Sequence, residues 1–125
     1  MKRVSFTLEF LLRSSPHIVY EFLTAPDCLI RWFCDTCDNI EECYTFVWDG
    51  NEEIAYLMED IQEERVRYRW EDADEGEYFE FRIITAEVTG ETVVEVTAFA
   101  DQGDEKIERQ YWTNKIEDMK RAMGA

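Results

Sequence analysis

The sequence has few of the residues and motifs by which common enzyme and membrane-protein classes are recognised. Its 125 residues include two prolines, five glycines and one histidine. No apolar run approaches the roughly 20 residues that a membrane-spanning helix needs. There is no glycine-rich phosphate loop, and no spacing from which a Ser-His-Asp triad could be argued. These absences give no support to a membrane span, a phosphate-binding loop or a serine hydrolase.

Basic residues are also scarce: 13 Lys and Arg stand against 29 Asp and Glu, a net charge of −16. The excess is uneven, because residues 38–81 hold sixteen acids and three bases, a net −13. Such a chain repels phosphate groups, so nucleic acids and anionic membranes are poor partners. We expect most of this charge to form a solvated face that keeps the protein soluble, with a basic protein partner as the alternative.

Apolar residues, by contrast, are plentiful at 46%, with 14% aromatics, so a substantial core is available. A chain of this length predicts a single domain over residues 1–125. The N-terminus MKRVSFTLEFLL is basic and then apolar, but Glu9 interrupts it and no small-residue cleavage site follows. With four cysteines that have no evident pairing, the sequence favours a reducing, cytoplasmic location.

The periodicity of the sequence changes three times. Residues 3–13 alternate as a strand with one apolar face, and Ser15-Pro16 and Pro26-Asp27 each begin a short helix. Residues 39–101 return to a period of two, and residues 104–123 have helical spacing. The five strands expected in the second alternating stretch are residues 43–48, 53–61, 64–70, 77–88 and 91–101.

This order predicts an α+β fold. A curved antiparallel six-stranded sheet wraps around the long C-terminal helix, and two short helices follow the first strand. The first strand must lie at the sheet's edge or close the sheet. Only the C-terminal helix is long enough to cover the apolar face that a twisted sheet presents.

The element order resembles the helix-grip fold of the START-like superfamily. The closest likeness is to the heat-shock ATPase activator-like branch. There a Ser-Pro helix start is followed by a Pro-acid segment that ends in Trp-Phe; here these are Ser15-Pro16, Pro26-Asp27 and Trp32-Phe33. The resemblance implies a pocket between sheet and helix for an apolar or amphipathic molecule. Members include lipid carriers, hormone receptors, polyketide cyclases and co-chaperones.

The candidate ligand-binding residues are those expected on inward faces of the sheet, on the covering helix and in the Trp-Phe segment. Aromatic side chains commonly line small-molecule pockets, and a core filled by the same rings is the alternative. The set is Trp32, Phe33, Phe46, Tyr56, Met58, Tyr68, Trp70, Phe79, Phe81, Tyr111, Trp112, Ile116 and Met119.

The cysteines and the histidine are not predicted to form a metal or redox site. Cys34 and Cys37 form one Cys-x-x-Cys pair, whereas structural zinc usually needs two close pairs. This pair follows a helix end, whose negative dipole should raise the pKa of the first thiol. His17 is expected to be exposed. No catalytic residue, metal ligand or cofactor is predicted.

Three functions remain from the sequence. The leading one is non-catalytic binding of a lipid-like molecule between the sheet and the C-terminal helix. The second is an acidic, co-chaperone-like protein-interaction module. The third, less favoured, is a cyclase- or hydrolase-type enzyme, which would need a carboxylate facing the cavity. Glu59 and Glu80 flank apolar residues, but both fit outward positions.

Overall fold

A computed structural model describes residues 2–86 and 88–124, in which a curved sheet packs against one long helix. The strands are β1 (Arg3–Leu12), β2 (Thr36–Ile40), β3 (Cys43–Trp48), β4 (Asn51–Ile61), β5 (Arg65–Trp70), β6 (Phe79–Thr85) and β7 (Thr92–Asp101). The helices are α1 (Pro16–Thr24), α2 (Pro26–Leu29) and α3 (Glu105–Met123), with a 3₁₀ turn at Gln102–Asp104.

All described strands join one antiparallel sheet in the order β1-β7-β6-β5-β4-β3-β2. β1 lies at an edge, paired with β7 from Arg3↔Asp101 to Leu12↔Thr92, which is one of the two positions that the sequence leaves open. The helix-grip fold is therefore confirmed, but the sheet has seven strands rather than six. The missed strand is β2, whose polar sequence TCDNI pairs with β3 on one side only and is mostly exposed. A polar edge strand has no apolar alternation to reveal it.

The two short helices begin where the sequence predicts. Ser15 caps α1 by accepting a hydrogen bond from the backbone N–H of Ile18 at 3.2 Å, and Pro16 takes the first helical position. α2 is only one turn long, and Trp32 and Phe33 lie in the turns that follow it. The Trp32 indole N–H donates to the carbonyl of Phe22 at 2.8 Å, which ties this segment to α1.

α3 covers the concave face through Trp112, Ile116 and Met119, all of which are buried. Two other apolar residues of α3 lie outside this contact, since Ile107 is 68% exposed and Tyr111 is 41% exposed. Acidic residues in the first turn and basic residues in the last turn complement the helix dipole. None of the helices in the described residues is both long and apolar enough to cross a membrane.

The two faces of the sheet separate by alternation, as the pattern of β5 predicts. Val66 and Tyr68 are buried on the concave face, while Arg65 and Arg67 lie on the convex face. Arg67 Nη2 is 2.9 Å from a carboxylate oxygen of Glu80, and Arg65 is paired with Glu59. These arginines therefore pair with glutamates on the neighbouring strands β4 and β6.

The prediction that Tyr56 and Met58 of β4 face the core is wrong. Tyr56 and Met58 lie on the convex face, 38% and 59% exposed, because Ala55 and Leu57 take the inward positions. A bulge between Leu57 and Glu59 shifts the register with β5 at this point. Alternation in a mostly apolar stretch fixes the period but not which of the two residue sets faces inward.

We expect Tyr68→Phe to lower the free energy of unfolding by about 1–3 kcal/mol, because a buried acceptor loses its partner. The Tyr68 hydroxyl donates to the carbonyl of Leu23 at 2.6 Å, and the side chain is 1% exposed. Tyr56→Phe is the matched control, since its hydroxyl bonds Glu71 at the surface, where water can replace it. Urea unfolding measures both. Equal losses for the two variants would contradict the argument.

We expect Glu9→Gln to raise the free energy of unfolding at pH 7 by about 0.2–1 kcal/mol, the usual cost of facing like charges. Glu9 lies directly opposite Glu95 in the β1–β7 ladder. Burial and the Glu9 carboxylate raise the pKa of Glu95, partly offset by Arg82.

A carboxyl whose pKa is raised by folding binds its proton more readily in the folded state. Stability at this site therefore falls as pH rises through the window between the unfolded and folded pKa values. The gain from Glu9→Gln should consequently shrink as pH falls below that window. Glu52→Gln, which faces Val47, is the control for net charge. An equal gain for both variants at pH 7 would mean that the Glu9–Glu95 pair is not responsible.

Candidate functional site

The space between the sheet and α3 is closed at its centre. Phe33 packs there with ring centroids 5.0 Å from Phe46 and 5.1 Å from Trp32. The region has no room for a water-sized sphere. Its walls are Leu23, Leu29, Trp32, Phe33, Phe46, Tyr68, Phe79 and Phe81. The centre is thus a filled aromatic core, the alternative that the sequence left open.

An open cleft of about 430 Å³ lies at one end of this core, where the N-terminal half of α3 meets the sheet. We call it the end cleft. Its aromatic residues are Trp70, Tyr78, Phe79, Phe99, Tyr111 and Trp112. Its charged residues are Arg3, Glu53, Asp72, Asp74, Glu77 and Glu108, and Ala73 and Ala98 complete the lining.

Helical and strand periodicity explain why these side chains meet. Glu108, Tyr111 and Trp112 are three and four residues apart on α3, so they share one face. Glu53 lies opposite the buried Phe46 in the β3–β4 ladder, and so belongs to the concave face. The floor is continuous with the core, since the Phe79 ring lies 4.8 Å from Trp70 and 5.7 Å from Trp112.

The polar tips of the tryptophans and tyrosines divide into two groups. Six donate a hydrogen bond: Trp32, Trp48, Tyr20, Tyr44, Tyr56 and Tyr68. Four have no hydrogen-bond partner within the described residues, and these are Trp70, Tyr78, Tyr111 and Trp112, all of which line the end cleft. The polar atoms of Trp70, Tyr78 and Trp112 are open to solvent rather than buried without a partner, and Tyr111 is 41% exposed. The end cleft therefore holds donors that are free to bond a polar atom of a ligand in place of water.

The end cleft is acidic, and its single arginine is occupied. Arg3 donates to Glu77 at 2.6 and 3.0 Å and to Asp101 at 3.1 Å, and lies 3.5 Å from Asp74. The hydrogen bonds to Glu77 and Asp101 raise the pKa of Arg3, so the guanidinium stays protonated. Its positive charge is balanced by these carboxylates. Glu53, Asp72 and Glu108 form no ion pair with any described residue.

Two side chains of α3 that line the end cleft have raised pKa values. Burial, and then the charge of Asp104, raise the pKa of Glu108, while Arg3 lowers it. Burial, followed by Glu108 and Glu53, raises the pKa of Tyr111 to about 12. The two glutamates therefore act on the same phenol from opposite walls, one on β4 and one on α3.

The thirteen predicted residues fall into four places. Trp70, Phe79, Tyr111 and Trp112 line the end cleft. Trp32, Phe33, Phe46, Tyr68 and Phe81 wall the closed centre, which Phe79 also reaches. Ile116 and Met119 are fully buried between α3 and the sheet, and Tyr56 and Met58 are on the convex face.

Sequence reasoning missed the charged rim and the outer end of the cleft. Asp72, Asp74 and Glu77 lie in the loop before β6, where an abundance of acids gave no reason to choose among them. The spacing of Glu108, Tyr111 and Trp112 was a usable signal, since it places an acid beside two rings on one helical face.

The cysteines do not form a metal cluster. No group of three His, Cys, Asp or Glu side chains in residues 2–86 and 88–124 could hold a metal ion. The expectation of a raised pKa is wrong for Cys34, because the neighbouring Cys37 thiol and the charge of Lys115 lower its pKa against the effect of burial. The Cys34 thiol itself donates to the carbonyl of Leu29 at 3.8 Å. The proximity of Cys34, together with burial, raises the pKa of Cys37. His17 is exposed, with Nδ1 3.5 Å from a Glu63 oxygen.

A catalytic alternative needs carboxylates in distinct environments facing the cavity. Glu108 meets this condition by its burial and raised pKa. Glu53 and Asp72, which also line the end cleft, are exposed. The largely buried Glu77, which also lines the cleft, is paired with Arg3 at 2.6 Å.

Comparison with known proteins agrees with this architecture. A solution NMR structure of a Bacteroides fragilis protein is 25% identical, with 98% of this chain and 93% of that chain covered and a TM-score of 0.72. The solution structure of the Aha1 dimer from Colwellia psychrerythraea is 19% identical, covers 95% of each chain and has a TM-score of 0.81. A crystal structure from Mesorhizobium loti is 13% identical, covers 97% of each chain and has a TM-score of 0.77.

No curated protein matches this chain. The likeness to Aha1 is a likeness of fold. A family model described as a START-like superfamily domain matches residues 1–125. The chain therefore belongs to the START-like superfamily.

Proposed function

We propose that this protein binds an apolar or amphipathic small molecule, without catalysis, in the end cleft. The observation that carries the proposal is the collection there of four aromatic side chains whose polar tips have no partner in the described residues. Rings provide apolar contact area, and their unused N–H and O–H groups can orient a polar atom of the ligand.

Size and family support the same proposal. The cleft volume of about 430 Å³ falls within the usual range of ligand pockets, roughly 300–1,000 Å³. START-like domains commonly bind hydrophobic ligands. The binding place differs from the sequence expectation, however, because Phe33, Phe46 and Tyr68 fill the centre of the fold.

The proposal is tested by titrating ¹⁵N-labelled protein with 1-octanol, a neutral amphiphile. The four indole N–H signals serve as built-in reporters. We expect the signals of Trp70 and Trp112 to move, because both rings line the end cleft. Those of Trp32 and Trp48 should stay, because they donate to backbone carbonyls at 2.8 and 2.6 Å. No change at Trp70 and Trp112 would overturn the proposal.

A matched pair of tyrosine variants locates the binding site. Tyr111→Ala should weaken octanol binding about threefold to tenfold, since truncating an aromatic contact typically costs about 1 kcal/mol. Tyr56→Ala should leave binding unchanged, because this tyrosine is similarly exposed but lies on the convex face. An equal loss in both variants would place the ligand elsewhere.

A further inference from the structure

We propose that the end cleft selects ligands with a cationic head group, such as an amine or quaternary ammonium carried on an apolar chain. This inference rests on the proposed function and narrows its ligand class. It is carried by the combination of a cavity, aromatic faces and an unbalanced set of charges on the cavity wall.

The charges of the cleft wall favour a cation. Five carboxylates and one guanidinium line it, a net charge of −4 by addition. The guanidinium of Arg3 already contacts Glu77, Asp74 and Asp101. Arg3 is therefore not available to an incoming anion. Two other basic groups contact cleft rings from outside the lining, since the Arg67 guanidinium lies 4.0 Å over the Tyr78 ring and Lys115 Nζ is 5.8 Å from the Tyr111 centroid. Among the described residues, no basic group lies against the rings of Trp70, Phe79 and Trp112.

The carboxylates without an ion-pair partner surround the aromatic wall from three directions. Glu53 comes from β4, Asp72 from the loop after β5, and Glu108 from α3. Glu53 and Glu108 line the same cleft as Trp70 and Trp112. A cation held beside these indole rings meets carboxylates together with the negative face of an aromatic system.

The cleft also separates apolar from charged surface. Its floor is made by Phe79 and Trp112, which are 2% and 4% exposed. Its rim carries the exposed acids Glu53 and Asp72. An alkyl chain on the floor would bring its head group to the acidic rim. A fatty acid in the same pose would place its carboxylate among like charges, which is unfavourable.

Partial enclosure strengthens this selection. Burial raises the pKa of Glu108, so this carboxylate is partly withdrawn from water. An ion pair is worth more where water is partly excluded than on an open surface. A bound ammonium group would offset the cost of keeping Glu108 ionised in that environment.

The experiment compares three ligands with the same eight-carbon chain: octyltrimethylammonium, 1-octanol and octanoate. Each is titrated at low salt and followed by the indole signals of Trp70 and Trp112. We expect the cation to bind about tenfold more tightly than octanoate, with the affinity of octanol between the two. Each ion pair between the ammonium group and a cleft carboxylate should raise the affinity by roughly a few-fold. Added salt should lower the affinity for the cation and leave the affinity for octanol little changed.

Charge variants then assign the preference to specific groups. In the double variant Glu53→Gln with Glu108→Gln, the affinity ratio of octyltrimethylammonium to octanoate should fall to about twofold or less. The matched control is Glu52→Gln with Glu117→Gln, which also removes one charge from β4 and one from α3, at residues outside the cleft lining. It should keep the wild-type ratio. Amide spectra of each variant check that the fold is retained.

The outcomes separate the two proposals. Binding of all three ligands with affinities within twofold would overturn the cation preference while leaving ligand binding in place. Tighter binding of octanoate would do the same. A cation preference that the control double variant reduces as much as the Glu53/Glu108 double variant would also overturn it, since net charge and not the cleft would then be responsible. Binding of none of the three would overturn both proposals.

Discussion

The burial of one face of α3 against the concave sheet is the contact on which the rest of the structure depends. Trp112, Ile116 and Met119 lie almost wholly out of water there, and each such side chain contributes roughly 1.5–3 kcal/mol. The sheet alone would expose an apolar face, and α3 alone would expose its stripe. Their contact also sets where an opening remains, because a helix on a curved sheet cannot touch it equally along its length.

The interior divides as a consequence of that geometry. Near α1 and α2 the space is filled, since the segment after α2 inserts Trp32 and Phe33 between sheet and helix. At the start of α3 no such segment enters, and the rings of Tyr111 and Trp112 are left facing a cleft. One fold thus contains both a closed core and an open site, distinguished by whether the polar tips of the rings have protein partners.

Charge is organised differently on the two faces. On the convex face Arg65 and Arg67 meet Glu59 and Glu80, so acids and bases largely neutralise one another. At the rim of the end cleft the acids outnumber the single arginine, and only some of them are paired with it. The net charge of −16 is therefore distributed unevenly between the two faces of the sheet. The convex face contains both these ion pairs and the facing acids Glu9 and Glu95, whereas the end cleft combines an excess of acids with aromatic rings.

The sequence by itself determined the element order, the helix starts at Ser15-Pro16 and Pro26, the inward set on β5, and the superfamily, because these depend on local periodicity and capping. Only the tertiary structure decided that β2 joins the sheet, that Tyr56 and Met58 face outward, and that the centre is filled. Edge pairing, a bulge and the packing of Phe33 depend on residues distant in the chain. The same holds for the end cleft, since Arg3, Glu53 and Glu108 meet only when three separate elements converge.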